Sequence, residues 1–372
     1  MKKLLVLFLL VAVILSACQP QTVEVPGAEV VITQVVEVDK VVEKVVEVEK
    51  VVEVEKETPI TVCILHPEMN AFHGSISHAV TEKGGELNWW IIPYTAGVDS
   101  ALQLNQMENC VVLGVDAILI TPVDAKSICA GVKKAQDAGI PVYGIDRSTD
   151  GCKINMTVQA DNELAGRQGA QSSINFLMEK YGEAKGIVLE LQGDMASNVA
   201  QLRNKGFLEE MAKYPNVTVI SKPTEWDQDK FFKSTLDVVG SQPVDAIFSH
   251  TDVIGTTPIL SALDQLGKKF QVGDPNHIWY GAVDGSPTGL QAIRDGWQDE
   301  SYSQPNTDTP IVLDYVKMEF DGGEIKEGIY EKEGALWSPA TIYMADNGWM
   351  MLLATTIVTE ENVDDKRLWG NN

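Results

Sequence analysis

The chain has 372 residues, of which 44% are hydrophobic, and its formal net charge at pH 7 is −24. This length is sufficient for two domains with buried cores. The negative charge argues against a nucleic-acid partner, because it repels phosphate backbones.

The first 18 residues predict an export signal. Two lysines precede an apolar run over residues 4–15, and Cys18 follows the small pair Ser16-Ala17. The run is too short for a stable membrane span. The pattern resembles a bacterial lipoprotein signal, in which cleavage leaves the cysteine as an acylated N-terminus. An ordinary secretory signal with a chance cysteine is the alternative. Both kinds of signal predict an extracytoplasmic protein, and a lipid on Cys18 would also anchor the protein to a membrane.

Residues 19–57 predict a solvated tether. They contain no aromatic residue, and the hexad Val-Val-Glu-Val-Glu-Lys occurs at 45–50 and again at 51–56. A period of six fits neither an α-helix nor a heptad, but it fits an extended chain with Val and charge on opposite sides. The alternative is a self-associating segment whose Val edges pair between copies.

Four further cysteines predict disulfides, as expected for an exported chain. Cys63, Cys110, Cys129 and Cys152 allow three pairings, and all three stay open. Cys63 falls in a predicted buried strand, so a free core thiol is the alternative for that residue. No CxxC spacing suggests a zinc or redox centre, and no cofactor is expected.

From residue 60 onward, short β-rich runs alternate with amphipathic helical stretches through two successive blocks. This alternation predicts an α/β fold with two doubly wound parallel-sheet domains. The predicted strands are 60–65, 89–93, 117–120, 141–145, 186–191, 217–220, 246–248 and 278–283, and the predicted helices are 99–113, 125–138, 162–181, 198–214, 230–239 and 258–266.

The predicted strands end in polar side chains. Ligands of doubly wound sheets bind at the carboxyl ends of the strands, so this recurrence predicts two polar rims that face each other across a cleft. Helix capping is the alternative for Asp124, Ser197 and Asp252, because Asp and Ser commonly start helices. The polar strand ends are His66, Thr121, Asp124, Asp146-Arg147, Gln192, His250-Thr251-Asp252 and Asp284.

The chemistry of these strand ends matches a sugar. Asp and Arg side chains bind neighbouring hydroxyls through charge-assisted hydrogen bonds. Aromatic rings cover the apolar C–H faces of a sugar, and Phe72 and Trp226 fall in connecting segments beside predicted strand ends. Taken singly, each ring is equally well explained as a core or surface aromatic.

Five segments carry a family resemblance through their order and spacing. They are Ile145-Asp146-Arg147, Ala160-Asp161-Asn162, Glu190-Leu191-Gln192-Gly193, Arg203 with Gly206-Phe207, and Val283-Asp284-Gly285-Ser286-Pro287. With them, residues 60 to about 326 resemble the periplasmic sugar-binding proteins of ABC transporters, of the ribose-binding type. The resemblance implies the type I periplasmic-binding-protein fold, with two lobes joined by a three-segment hinge. The implied N-terminal lobe is 58–160 plus 305–352, and the C-terminal lobe is 161–304 plus 353–372.

The resemblance also implies a ligand site shared by the two lobes. Aspartates and arginines bind hydroxyls there, two amides add contacts, and two aromatic rings cover the sugar faces. The implied site residues are Asn70, Phe72, His73, Asp146, Arg147, Arg203, Trp226, Thr251, Asp284 and Gln304.

Three departures from the ribose pattern leave the identity of the sugar open. His66 stands where a small hydroxyl residue is expected, His73 replaces the second Phe of a stacking pair, and Thr251 replaces an Asn. With His250, these histidines raise the alternative of a metal site, but no tight ligand spacing accompanies them, so no metal is expected. Residues 327–350, which include Trp337 and Trp349, are longer than the corresponding segment of the ribose-binding type, and the sequence assigns them no function. Residues 355–359 predict a last strand in the second lobe.

The leading functional hypothesis is a monomeric solute-binding lipoprotein. It would close on a monosaccharide or related polyol and deliver it to an ABC permease. A sensor that presents the sugar, or an autoinducer, to a receptor kinase or chemoreceptor is the alternative, and the sequence does not separate the two. An enzyme is not expected, because the chain has no G-x-S-x-G elbow, H-E-x-x-H motif or phosphate loop.

Overall fold

The computed structural model describes residues 59–372. The predicted signal peptide, its Cys18 and the tether over 19–57 lie outside the described residues. Within 59–372, no helix combines the length and the apolar character that a membrane crossing requires.

The first sheet has eight strands in the order β11-β12-β13-β5-β4-β3-β1-β2. Its strands β13, β5, β4, β3, β1 and β2 are parallel, whereas β11 and β12 pair antiparallel at one edge. The strands are β1 (Thr61–His66), β2 (Trp90–Thr95), β3 (Ala117–Ile120), β4 (Val142–Ile145), β5 (Met156–Ala160), β11 (Gly328–Tyr330), β12 (Ala340–Ala345) and β13 (Gly348–Leu353).

The second sheet has six strands in the order β14-β10-β9-β8-β6-β7. All neighbours are parallel except β14, which pairs antiparallel with β10. The strands are β6 (Gly186–Gln192), β7 (Val217–Pro223), β8 (Ala246–Ser249), β9 (Trp279–Asp284), β10 (Glu300–Ser303) and β14 (Thr356–Val358).

Helices cover both faces of each sheet, so the central strands are hydrophobic on both sides. On β1, Val62 and Ile64 enter one buried cluster, while Cys63 and Leu65 enter the cluster on the opposite face. The helices are α1 (Ala71–Glu86), α2 (Ser100–Leu113), α3 (Cys129–Asp137), α4 (Asn162–Tyr181), α5 (Asn198–Met211), α6 (Gln228–Ser241), α7 (Thr256–Gln265), α8 (Pro287–Arg294) and α9 (Val312–Phe320), with 3₁₀ turns at Asn306–Ile311 and Trp369–Asn371.

Short-range signals start and end the helices that the sequence predicts best. Asp161 caps α4, since its Oδ1 accepts a hydrogen bond from the Leu164 amide at 2.8 Å. Gly182 ends the same helix in the left-handed conformation, with φ of 72°. Such a cap and stop are readable in sequence, and α4 has the predicted bounds.

The chain crosses between the sheets three times, which agrees with the implied three-segment hinge. The crossings lie between β5 and α4, between β10 and the first 3₁₀ turn, and between β13 and β14. We propose that they divide an N-terminal lobe, 58–160 plus 305–352, from a C-terminal lobe, 161–304 plus 353–372.

The eight predicted strands and six predicted helices are all present, but the alternation overlooked several elements. Strands β5 and β10 and helices α1, α8 and α9 were not predicted. Residues 327–350 contribute the antiparallel edge of the first sheet, so parallel sheets alone were an incomplete description. The predicted last strand is confirmed as β14 in the second sheet.

The cysteines form two disulfides within the first lobe. Cys63 pairs with Cys110, and Cys129 pairs with Cys152. The alternative of a free core thiol at Cys63 is therefore wrong. The Cys63–Cys110 bond joins β1 to α2, and the Cys129–Cys152 bond joins α3 to the loop that follows β4.

Candidate functional site

A cavity of about 40 Å³ lies between the carboxyl ends of the two sheets. The structure brings all ten residues of the implied site to its wall. Four further residues were missed, of which Glu68 carries a signal, because it lies two positions after the polar end of β1. The lining residues are Glu68, Asn70, Phe72, His73, Asp146, Arg147, Val199, Arg203, Trp226, Thr251, Val253, Ile254, Asp284 and Gln304.

The start of α1 positions the first group of side chains. Asn70 caps the helix, because its Oδ1 accepts a hydrogen bond from the His73 amide at 3.0 Å. The cap uses the carbonyl of Asn70, so its NH2 group is the one available to a ligand. Phe72 and His73 occupy the first turn and are buried at the cavity.

Asp146 and Arg147 follow β4 and form the charged part of the N-terminal wall. The Asp146 carboxylate lies 3.8 Å from His73 Nε2 and 3.7 Å from Arg147 Nε, and the residue is 4% exposed. Burial raises the pKa of Asp146 to about 6, although the guanidinium groups of Arg147 and Arg203 oppose the rise. Its φ of 65° is uncommon for a residue with a side chain, and such strain clusters at binding sites.

Arg203 supplies the guanidinium of the C-terminal wall. Its Nε donates to Asn162 Oδ1 at 2.8 Å, and its Nη2 lies 3.5 Å from Asp284 Oδ1. Two glycines allow α4 and α5 to approach closely enough for this contact. A Cβ at Gly166 would lie 2.0 Å from the Arg203 carbonyl oxygen, and one at Gly206 would lie 2.0 Å from the Glu163 carbonyl oxygen.

Asp284 is the carboxylate of the C-terminal wall and is held from several directions. Thr251 Oγ1 donates to its Oδ2 at 2.6 Å, and Gln304 Nε2 donates to its Oδ1. Burial raises the pKa of Asp284, while Arg203 opposes the rise. Its φ of 116° is a second strained backbone conformation at the cavity.

Asp252, three residues after β8, supports Asp284 from behind. Its carboxylate accepts hydrogen bonds from the amides of Gly285 and Ser286, each at 3.0 Å. Burial, together with the charge of Asp284, raises the pKa of Asp252 to about 7. Asp252 is thus neither a helix cap nor a cavity residue. Asp124 does not cap a helix either: its Oδ1 accepts from the Ser127 amide at 2.6 Å within a turn, and α3 begins only at Cys129.

Trp226 covers the cavity between the two arginines. The guanidinium carbons of Arg147 and Arg203 each lie 5.9 Å from its ring centroid. Gly193 leaves room for the ring, because a Cβ there would lie 1.9 Å from Trp226 Cη2. Trp226 has a φ of 58°, so three cavity residues have left-handed backbone.

The remaining histidines do not line the cavity. His66 is buried at the end of β1, with its ring centroid 6.0 Å from that of His73. His250 pairs with Glu190, since its Nε2 lies 3.0 Å from Glu190 Oε1. Across 59–372, no cluster of three His, Cys, Asp or Glu side chains is arranged to hold a metal ion. Of the two C-terminal tryptophans left without a role, Trp337 donates to Asp308 and Trp349 packs on the first-lobe core, both away from the cavity.

Several buried polar atoms at the cavity have no hydrogen-bond partner among residues 59–372. Buried polar groups are nearly always paired, and leaving one unpaired costs about 1–3 kcal/mol. These atoms therefore indicate a polar ligand with several donors and acceptors. They are both ring nitrogens of His73, Arg147 Nε, Trp226 Nε1 and Gln304 Oε1.

Comparisons with known proteins agree with this geometry. Residues 66–309 match the family model of the periplasmic binding protein domain. The ribose import binding protein of Escherichia coli is 25% identical over 228 residues, which cover 61% of this chain and 73% of the relative. The galactofuranose-binding protein of Escherichia coli is 30% identical over 262 residues, covering 66% and 74%. The solved fructose-binding periplasmic domain of a hybrid two-component system superposes with a TM-score of 0.69 at 20% identity, covering 83% of this chain and 93% of that structure.

Proposed function

The chain belongs to the periplasmic binding protein domain family, and we propose that it is a membrane-tethered, extracytoplasmic solute-binding protein that delivers a monosaccharide or related polyol to an ABC permease. The predicted resemblance to the ribose-binding type is confirmed. The matched family consists of binding proteins, in agreement with the expectation that the chain is not an enzyme.

The observation that carries the proposal is the cavity wall. Three carboxylates, two guanidinium groups and two aromatic rings converge on one small space from both lobes. Several of their polar atoms are unpaired, and three of the residues have strained backbone. Groups of this kind suit a compact ligand that presents hydroxyls around its edge and C–H groups on its faces.

The charge balance favours a neutral ligand. Asp146 and Asp284 face Arg147 and Arg203, and Glu68 adds a third carboxylate, so the walls have no excess positive charge that would favour an anionic ligand. A sugar phosphate or a sugar acid would add negative charge next to two buried carboxylates whose pKa values are already raised. A neutral sugar accepts hydrogen bonds from the arginines and donates them to the carboxylates without that cost.

The size of the cavity implies that binding involves movement of the lobes. A volume of about 40 Å³ has room for only a few water molecules, whereas a monosaccharide needs several times this space. The lobes must therefore separate before a sugar enters. A sugar that touches both walls favours the closed arrangement because it binds that state more tightly than the open one.

The proposal includes a membrane tether and a permease partner. Cys18 and residues 19–57 would keep the binding lobes within reach of a membrane partner, which raises its effective concentration. Intact mass spectrometry of the exported protein tests the lipid. A mature chain that begins at acylated Cys18 is expected, and a chain cut elsewhere without a lipid would contradict the tether.

Sensing is the second candidate function, because a solved relative of the same fold belongs to a hybrid two-component system. The two functions differ in what the loaded protein stimulates. In membrane vesicles that contain the partner, a transport component accelerates sugar uptake and the ATPase activity of the permease. A sensor changes the phosphorylation of a kinase without uptake.

Isothermal titration calorimetry with pentoses, hexoses in both ring forms and polyols tests the binding function directly. We expect micromolar affinity for one class, equivalent to about −8 kcal/mol. Arg203→Ala should abolish binding, because the hydrogen bond from Arg203 to Asn162 and the pairing of Arg203 with Asp284 are both lost. Arg167→Ala is the matched control, since Arg167 lies on α4 and pairs with Glu163 away from the cavity. A folded protein that binds no member of the panel would refute the proposal.

A further inference from the structure

The C-terminal segment, residues 359–372, is attached to the C-terminal lobe through α8. Arg294 Nε donates to Asp364 Oδ1 at 2.8 Å, and Arg294 Nη2 donates to Asn371 Oδ1 at 2.6 Å. Leu368 is buried in a cluster with Leu290 of α8. These contacts bracket Trp369, so its backbone is held to the second lobe from both sides.

The Trp369 side chain reaches both walls of the cavity from behind. Its ring lies edge-on to Phe72, with 5.8 Å between the ring centroids, and it is buried in the hydrophobic cluster of the first lobe. Its Nε1 donates to the Asp284 carbonyl oxygen at 2.7 Å. Trp369 does not line the cavity, yet it touches one aromatic residue and one carboxylate residue that do.

The fit around Trp369 is close. A Cβ at the neighbouring Gly370 would lie 2.3 Å from the Gly285 carbonyl oxygen. The tail backbone therefore packs directly against the turn that follows Asp284. Since Asp284 has a φ of 116°, its conformation needs support from its surroundings, and the hydrogen bond from Trp369 provides part of it.

We propose that Trp369 is a positioning residue that ties Phe72 on the N-terminal wall to Asp284 on the C-terminal wall. The consequence for affinity rests on the proposed sugar-binding function. The contact itself does not depend on a ligand, so the two ideas are tested separately.

Hydrogen–deuterium exchange of the sugar-free protein tests the contact. In Trp369→Leu, amides of the segments 70–75 and 283–287 should exchange at least about fivefold faster than in wild type, as expected for loss of one net hydrogen bond and its packing. Trp90→Leu is the matched control, because Trp90 is 66% exposed on the edge strand β2. Unchanged exchange in both segments, or an equal rise across the whole protein, would overturn the proposal.

Calorimetry with the sugar that binds wild type best then tests the consequence. Trp369→Phe keeps an aromatic ring at this position but removes the N–H that donates to the Asp284 carbonyl oxygen, and we expect about fivefold weaker binding. Trp369→Leu should weaken binding further, and Trp90→Leu should leave it unchanged. Equal affinity of folded Trp369 variants and wild type would contradict the positioning role, whatever their stability. If wild type binds no sugar, the proposed function fails, and the exchange experiment still decides the contact.

Discussion

Asp146→Asn should make the protein more stable at neutral pH and a weaker binder. The carboxylate is buried, and no hydrogen-bond donor among residues 59–372 pairs with it: its neighbours His73 and Arg147 approach only to 3.8 Å and 3.7 Å. Burial raises its pKa from 3.8 to about 6. At about 1.4 kcal/mol per pH unit, this difference corresponds to about 3 kcal/mol.

The sign follows from proton binding. Between pH 4 and pH 6 the unfolded chain releases the Asp146 proton while the folded chain retains it, so the free energy of unfolding of wild type falls as pH rises through this window. The amide that replaces the carboxyl in Asp146→Asn does not titrate. The variant should therefore match wild type near pH 3.5 and exceed its unfolding free energy by about 3 kcal/mol at pH 7.5.

Urea unfolding at a series of pH values measures this difference. Asp252 is present in both proteins, so its own titration largely cancels when the two curves are subtracted, whereas Asp284 interacts with the Asp146 charge and its titration cancels only in part. Asp137→Asn, at an exposed carboxyl on α3, is the control and should show no such pH dependence. In calorimetry, Asp146→Asn should bind about 10- to 100-fold more weakly, because it loses charge-assisted hydrogen bonds to hydroxyls. An Asp146→Asn protein that is less stable than wild type at pH 7.5, or a stability difference that does not change with pH, would refute the reasoning.

Three further predictions concern other parts of the chain. Replacing Cys129 and Cys152 by Ser should lower the unfolding free energy by about 3 kcal/mol, as estimated for a closed loop of 23 residues, and denaturant unfolding of the oxidised protein measures the loss. Gly193→Ala should displace the Trp226 ring, because the added Cβ would lie 1.9 Å from it. Sugar binding should weaken at least about tenfold, and the tryptophan fluorescence should shift. An unchanged affinity would show that the ring is not needed for binding. Replacement of Cys18 by Ser should move the exported protein from the membrane fraction to the soluble fraction, and retention on the membrane would point to another anchor.

Much of the fold was predictable because its signals are local. The alternation of β-rich runs and amphipathic stretches placed the central strands and most helices, and a cap such as Asp161 with its stop at Gly182 defined α4. Strands with weak or atypical composition were missed. Strand β10 reads Glu-Ser-Tyr-Ser and is buried only because it joins β9 to β14 in the sheet.

The charged residues of the candidate site were predictable from the sequence, but the residues that orient them were not. Its charged residues follow strands, and the carboxyl ends of parallel strands meet at one edge of a sheet. Asp146, Arg147 and Asp284 were therefore recognisable from their positions alone. Asn162, which orients Arg203 through a hydrogen bond, stands out in the sequence only within the family segment Ala160-Asp161-Asn162, because nothing in its neighbourhood indicates a partner 41 residues away.

By itself, the sequence predicted an exported chain, an α/β fold of two lobes, and polar strand ends whose chemistry suits a sugar. Each of these follows from composition, period or position over a few residues. The tertiary structure alone decided the pairing of the four cysteines, the seating of Trp226 over Gly193, and the approach of Trp369 to Phe72 and Asp284. These contacts join segments that are distant in the chain, 85 residues apart for Asp284 and Trp369, and only tertiary packing within and between the lobes brings them together.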